Sequence, residues 1–206
     1  MNINMAIEDG LTEMGLQFDN QFVCGLADLL EQLVKWNKTY NLTAIRDPAQ
    51  IITHHIFDSL SVQAHVKGAN IIDVGSGAGF PGLPLALYFP EKNFTLLDSN
   101  GKKTRFLQQV KIVLGLKNCR IVQSRAEVYR ETFDQVICRA FASLADITEK
   151  TAHLLSCHGE ILALKGKLDE AETRSDISPF QITTTHLLAV PQVGAERHLV
   201  ILKKKS

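Results

Sequence analysis

The composition of this chain is that of a folded protein. Its 206 residues are 45% hydrophobic and 21% charged, a balance that excludes a mainly disordered chain. At about 100–200 residues per domain, this length predicts one substantial domain with at most a small attachment. A chain of this size buries about 70% of its unfolded surface, so it needs no metal or disulfide to form a core.

The charged side chains balance, with 22 basic and 22 acidic residues. A neutral protein lacks the large basic field with which some proteins coat nucleic acid, so any RNA binding must come from local basic clusters. No apolar run approaches the roughly 20 residues that span a bilayer, and residues 1–10 lack the basic and apolar regions of a signal peptide. We therefore expect a cytoplasmic protein that does not bind membranes.

The sequence contains no spacing typical of a metal site. The four cysteines include no CxxC pair, so we expect reduced and mostly buried thiols. His54 and His55 are adjacent, but no further His or Cys lies at ligand spacing on the same predicted helix. We predict that the protein binds no metal.

Two helices are predicted in the N-terminal third. Phe22, Leu26, Leu29, Leu30 and Leu33 follow a period of 3.6 residues and form one apolar stripe. Asp19 or Asn20 could cap this helix. A second helix is predicted to begin at Asp47-Pro48, since proline is favoured in a first helical turn. We expect residues 1–66 to form a helical extension that packs on the rest of the chain.

From residue 70 onward, short apolar runs alternate with helical patterns. This alternation predicts βαβ units and a parallel sheet covered on both faces. Strands are predicted at 71–74, 94–97, 120–122, 135–138 and 160–164. Helices are predicted after Gly82, at 102–114 and at 144–155.

The C-terminal part has a different pattern. Two strand-like runs, 181–190 and 198–203, are joined by a link too short for a crossover helix, which predicts an antiparallel hairpin. The expected fold is therefore α/β, with a mostly parallel seven-stranded sheet over residues 67–206. This arrangement resembles the Rossmann-like fold of class I S-adenosylmethionine-dependent methyltransferases.

A glycine-rich turn follows the first predicted strand. Gly75, Gly77 and Gly79 alternate there, and glycine lets a ligand lie against the backbone. The residues from Gly77 to Gly82 also satisfy GxGxxG, so NAD or FAD remains an alternative, as does a purely structural turn. Asp98 ends the second strand, where a carboxylate can accept hydrogen bonds from the ribose of NAD or of S-adenosylmethionine.

Three features favour S-adenosylmethionine as the cofactor. Asp73 directly precedes the first glycine and suits a cationic amino acid moiety better than a pyrophosphate. Pro81 removes an amide donor that a pyrophosphate could have used. The C-terminal hairpin fits methyltransferases and not the usual dehydrogenase sheet.

Five segments, in the same order, resemble the motifs of one family over residues 26–203. They are WNKTYNLTAIR at 36–46, HIFDSL at 55–60, DVGSGAGFPGLP at 73–84, KKTRFL at 102–107 and RAE at 125–127. The chain resembles the small-subunit rRNA guanine-N7 methyltransferases called RsmG or GidB. The resemblance implies methyl transfer from S-adenosylmethionine to N7 of a guanine in the 530 loop of 16S rRNA, with 16S rRNA or the small ribosomal subunit as partner.

The resemblance also implies cofactor contacts. They fall on Gly75, Phe80, Ala126, Glu127 and Arg139. The chemistry agrees, because the amide of Ala126 and the carboxylate of Glu127 follow the third strand, where they could read the edge of an adenine. With the residues singled out above, the predicted cofactor set is Asp73, Gly75, Gly77, Gly79, Phe80, Asp98, Ala126, Glu127 and Arg139.

Substrate contacts are predicted at Asn41, His55, Arg139, Lys165 and Arg197. Arg139 and Lys165 end the fourth and fifth strands, at the sheet edge where open α/β folds bind ligands. Asn41 is expected either to bond a base edge or to end a helix.

No catalytic residue is predicted, since guanine N7 carries a free lone pair and needs alignment more than a base. The sequence CRAF at 138–141 is not the box used on exocyclic amines, which disfavours those targets. A small-molecule methyltransferase and a non-catalytic nucleotide-binding regulator remain alternatives.

Overall fold

Seven strands form one mixed sheet, as predicted. The structure is a computed structural model and describes residues 2–139, 143–168, 170–173 and 176–205. The strands are β1 (Asn70–Val74), β2 (Asn93–Asp98), β3 (Cys119–Gln123), β4 (Phe133–Arg139), β5 (Leu155–Lys165), β6 (Phe180–Leu187) and β7 (His198–Lys204). Their order is β3-β2-β1-β4-β5-β7-β6, in which β1 to β5 pair in parallel and β7 is antiparallel to β5 and β6.

Eight α-helices are described around this sheet. They are α1 (Ile3–Glu13), α2 (Asn20–Tyr40), α3 (Pro48–Ile51), α4 (Asp58–Leu60), α5 (Gly82–Tyr88), α6 (Gly101–Val113), α7 (Leu144–Thr151) and α8 (Glu170–Thr173). Short 3₁₀ turns lie at Gln63–His65 after α4, at Ala126–Val128 after β3 and at Ala152–Leu154 after α7. Within the described residues, no helix combines the length and the apolar character needed to cross a membrane.

Helix α2 begins and ends as its sequence indicates. The carboxylate of Asp19 accepts a hydrogen bond from the amide of Phe22 at 2.8 Å, so Asp19 rather than Asn20 is the cap. The predicted apolar stripe is buried. Helix α2 ends at Tyr40, and the cap residue Asn41 that follows it has a left-handed φ of 48°. Asparagine tolerates this conformation better than most residues, which explains why the helix stops there.

Two N-terminal features differ from the prediction. Helix α1 was not expected, because it buries only Ile7, Gly10 and Leu11 and so has a weak apolar pattern. The helix predicted from Asp47-Pro48 does form, but Ile52–Phe57 is wound as a π-helix between α3 and α4. Such π-helical turns are frequent at functional sites. This one carries His54 and His55.

The N-terminal helices share an apolar core with one face of the sheet. Leu26 and Leu30 of α2 belong to the same buried cluster as Leu83 of α5 and Phe106 of α6. The other face is covered by α7 through a second cluster. The division of the chain at residue 66 stays a prediction, since the packing is continuous across it.

The cysteines are less buried than expected. Cys119 and Cys138 are buried, whereas Cys24 and Cys157 are exposed. Burial raises the pKa of the Cys138 thiol well above its usual range, which fits a core residue and not a nucleophile. Ala140 and Phe141, which complete the segment that begins at Cys138, lie outside the described residues.

Candidate active site

A cleft of about 550 Å³ opens at the carboxyl edge of the sheet. It lies where the strand order reverses between β1 and β4, the position at which open α/β sheets bind ligands. We call it the donor cleft. Its lining residues are Leu42, Thr43, His55, Val74, Gly75, Ser76, Gly77, Ala78, Phe80, Leu97, Asp98, Ser99, Lys103, Ser124, Arg125, Ala126, Glu127, Arg139 and Lys150.

The three loop glycines have two different roles. Gly75 and Gly77 line the cleft with φ of 73° and 60°, in the left-handed region that favours glycine. A Cβ on Gly77 would meet nothing closer than the Gly75 carbonyl at 3.8 Å, so it would occupy the cleft itself. A Cβ on Gly79 would lie 2.3 Å from a Leu83 methyl, so that glycine allows helix packing and does not line the cleft.

Asp98 lies in the wall of the donor cleft, as predicted. Its carboxylate accepts hydrogen bonds from the amide of Gly77 at 2.9 Å and from the amide of Asn100 at 2.8 Å. The ammonium of Lys103 lies 3.8 Å away. These contacts fix the carboxylate at the end of β2. Its contact with the ribose of S-adenosylmethionine stays a prediction.

Asp73 lies beneath the donor cleft and not in its wall, which differs from the predicted direct contact. It is only 1% exposed, because this strand-end side chain turns toward the first amide of α5. One oxygen, Oδ2, accepts a hydrogen bond from the amide of Gly82 at 2.9 Å. The other, Oδ1, has no hydrogen-bond partner among the residues that the structure describes, and burial raises the pKa of this carboxyl to about 7.

Ala126 and Glu127 lie on the opposite wall. Both belong to the short 3₁₀ turn after β3, and both line the donor cleft. His153 Nε2 bonds to the Ala126 carbonyl at 3.0 Å, which fixes the turn. Their contact with an adenine stays a prediction.

Phe80, His55 and Arg139 form one end wall of the donor cleft. The Phe80 ring stacks on His55 with centroids 4.9 Å apart, and the Arg139 guanidinium lies 5.5 Å from the centroid of the same ring. Burial and the nearby Arg139 charge lower the pKa of His55 to about 4. His55 is therefore a neutral ring at physiological pH.

Nδ1 of His55 has two neighbours, the His54 carbonyl at 3.0 Å and Nη2 of Arg139 at 3.4 Å. A carbonyl can only accept and a guanidinium can only donate, so the two contacts need opposite roles of Nδ1, and the shorter one favours Nδ1 as the donor. Nε2 then accepts from the hydroxyl of Thr43 at 2.8 Å, since the Thr43 oxygen itself accepts from the amide of Ile45. Asn37, only 3% exposed, holds Thr43 through the Thr43 backbone amide and carbonyl at 2.9 and 3.0 Å.

A second cleft of about 630 Å³ lies on the other side of the wall that Phe80, His55 and Arg139 form. His55 and Arg139 line both clefts. Lys165 and Arg197 line only the second cleft, so four of the five predicted substrate residues come together there. Asn41 lines neither cleft, and its side chain accepts a hydrogen bond from Arg46. Of the two roles predicted for Asn41, the structure favours the helix-ending one.

The sequence reasoning missed Asp58. This buried carboxylate accepts hydrogen bonds from Arg139 at 3.0 Å and from Arg197 at 2.9 Å, through different oxygens. Asp58 lies within the 55–60 segment that resembles a family motif, and this resemblance could have singled it out. Its partners are 81 and 139 residues away along the chain, and no local pattern links them.

Solved methyltransferases share the fold. Mitomycin 7-O-methyltransferase MmcR superimposes with a TM-score of 0.63 at 14% identity, covering 85% of this chain and 60% of that one. TYW2 of M. jannaschii, solved in complex with AdoMet, gives a TM-score of 0.57 at 14% identity over 73% and 76% of the two chains. The chain therefore has the Rossmann-like fold of class I methyltransferases, which confirms the predicted fold class.

Sequence relatives define the family. The model described as GidB, rRNA small subunit methyltransferase G, matches residues 24–200. The Alteromonas mediterranea protein named ribosomal RNA small subunit methyltransferase G is 46% identical over 98% of this chain and 97% of its own length. The protein of that name from Ectopseudomonas mendocina is 48% identical over 95% and 93%. The chain belongs to the rRNA small subunit methyltransferase G family, and the predicted resemblance and the S-adenosylmethionine cofactor are confirmed.

Proposed function

We propose that this protein transfers the methyl group of S-adenosylmethionine to N7 of a guanine in the 530 loop of 16S rRNA. The observation that carries the proposal is the family match over residues 24–200, together with a donor cleft that contains seven of the nine predicted cofactor residues. The target base comes from the family and not from the cleft.

The donor cleft fits S-adenosylmethionine. The empty space at the Cα of Gly77 lets a ligand lie against the backbone, and the carboxylates of Asp98 and Glu127 are acceptors for ribose hydroxyls and for an adenine amine. The buried carboxyl of Asp73 beneath the loop favours a positive charge above it. When bound, the cofactor supplies an electrophilic methyl group on a sulfonium.

The side chains of this protein hold and orient the reactants. Guanine N7 has a lone pair at neutral pH, so its attack requires alignment at about 3–3.5 Å and no proton removal. His55 is a weak base because its pKa is about 4, and both of its ring nitrogens are engaged. We assign it a structural role in the wall rather than a role in proton transfer.

The proposed partner is 16S rRNA within the small ribosomal subunit, and the proposed location is the cytoplasm, where that RNA is found. Two other functions were compatible with the sequence: a small-molecule methyltransferase and a regulator without catalysis. The family match favours neither of them.

Transfer of a labelled methyl group tests the proposal. Purified protein should label 16S rRNA in small subunits from cells that lack this gene, at a guanine N7, and should leave an extract of small metabolites unlabelled. Labelling of metabolites alone would show a small-molecule enzyme. Binding of S-adenosylmethionine with no transfer to either substrate would support the regulator.

A further inference from the structure

We propose that the second cleft receives the target guanosine, and that Asp58 is a positioning residue for Arg139 and Arg197 at this site. The inference rests on the proposed function and deepens it. It assigns the place of the acceptor and the residue that organises it.

The position of the second cleft supports this assignment. Methyl transfer requires the two reacting atoms to approach to about 3–3.5 Å, so acceptor and donor must meet. Within the described part of the chain, the two clefts share two lining side chains, His55 and Arg139, and adjoin there. An acceptor in the second cleft can reach the donor at this shared wall.

The charge of the second cleft suits a nucleotide within a polyanion. Among the described residues that line it, Arg139, Lys165, Lys167 and Arg197 face the two carboxylates Asp58 and Glu172, an excess of two positive charges in a chain of zero net charge. The phosphates that flank an rRNA guanosine are the natural partners of such a local excess.

Asp58 joins two arginines that come from distant parts of the chain. Its side chain is only 7% exposed, and each of its oxygens binds a different guanidinium. Oδ2 binds Arg139 at the end of β4, and Oδ1 binds Arg197 just before β7. Loss of Asp58 would leave both arginines without their partner, and loss of either arginine would leave the buried carboxylate less compensated. The positions of the three side chains therefore depend on one another.

The contacts of Arg197 explain how guanine could be read while N7 stays reactive. Arginine usually reads guanine with two donors, one to O6 and one to N7. Here Nε is bound to Asp58 and Nη1 to the Glu196 carbonyl, and Nη2 has no hydrogen bond to the described residues. Because Asp58 holds Nε, Arg197 cannot use the Nε and Nη2 pair on N7 and O6, and a hydrogen bond from Nη2 to O6 alone leaves the N7 lone pair free.

Kinetics on small subunits test the inference, with Arg197→Ala, Arg197→Lys, Asp58→Asn and, as a matched control, Arg105→Ala on the exposed face of α6. We expect Arg197→Ala and Asp58→Asn to raise KM for the subunit by at least about tenfold. The calorimetric affinity for S-adenosylmethionine should stay within about threefold of the wild-type value. Arg197→Lys should restore part of the loss, and Arg105→Ala should have no effect.

The failures of the two proposals are distinguishable. If the wild-type protein does not methylate small subunits, the proposed function is wrong. If it does, and Arg197→Ala and Asp58→Asn keep the wild-type KM, the assignment of the second cleft is wrong. Thermal unfolding identifies a variant that fails to fold. If a variant fails to fold, Arg197→Lys, which keeps the charge, provides the test. A KM for the small subunit that rises by less than about twofold in this variant would overturn the inference.

Discussion

Thr43 and His55 share a hydrogen bond of 2.8 Å between the Thr43 hydroxyl and Nε2 of the ring, which connects the loop after α2 to the wall between the two clefts. The loop is held in turn by the buried amide of Asn37. The WNKTYNLTAIR segment therefore has a structural explanation, because it fixes the ring that both clefts share.

Replacement of Thr43 by valine should loosen this wall. Thr43→Val keeps the shape but removes the hydroxyl, which leaves Nε2 of His55 and the amide of Ile45 without a partner. We expect a loss of about 1–3 kcal/mol in the free energy of unfolding and a lower kcat. Thr43→Ser, which keeps the hydroxyl, is the control. Equal stability of the valine and serine variants would show that the hydroxyl contributes nothing.

His55 should make the stability of the protein depend on pH. Its pKa is lowered from 6.5 to about 4 in the folded protein, so between these values the unfolded chain binds the additional proton. The contribution of His55 is complete above pH 6.5 and is lost as the pH falls toward 4. Denaturant unfolding from pH 4 to 7 should show a steeper slope for the wild type than for His55→Gln. An imidazole that titrates near 6.5 in an NMR experiment would contradict this.

Asp73 should link cofactor affinity to pH. The carboxyl has a pKa of about 7 without ligand, and a cation in the donor cleft favours its ionised form. Affinity for S-adenosylmethionine should therefore rise from pH 6 to pH 8, with release of a proton. Calorimetry in two buffers of different ionisation enthalpy measures both effects. An Asp73→Asn variant should bind more weakly at pH 8 and lose the dependence on pH; an unchanged pH profile in this variant would assign the effect to another group.

The glycine loop offers a control for backbone strain. Gly77 and Gly115 have nearly equal φ values, 60° and 62°, but only Gly77 lines the donor cleft. Substitution by alanine should destabilise the protein by about 1–2 kcal/mol at either site, because a left-handed backbone disfavours a Cβ. Only Gly77→Ala should lose affinity for S-adenosylmethionine. Equal affinity of the two variants would mean that no ligand approaches Gly77.

Lys165 provides a further test of the RNA face. Its ammonium is 2.6 Å from Glu172 in the second cleft, away from the donor cleft. Lys165→Ala should lower methylation of small subunits and leave the affinity for S-adenosylmethionine within about threefold, since a phosphate contact positions RNA without touching the donor. A parallel loss of both would show that Lys165 supports the cofactor site or the fold.

Local patterns predicted most of the fold but only part of the site. The strands and long helices follow from apolar periodicity, and the loop glycines from their spacing. The burial of Asp73 could not be predicted, because it depends on how α5 meets the sheet. The Asp58 bridge was not predicted either, since it joins segments that only the sheet topology brings together. The π-helical turn, which places His55 in the wall, has no sequence signature that we could use.

The most direct test of the central claim is a map of N7-methylguanine in 16S rRNA from cells with and without this gene. N7-methylguanine can be detected at single residues, because reduction and aniline treatment cleave the RNA there. We expect one modified guanine in the 530 loop to disappear on deletion, to return with the wild-type gene and to stay absent with Gly77→Ala. An identical modification map in the deletion strain would contradict the proposed function.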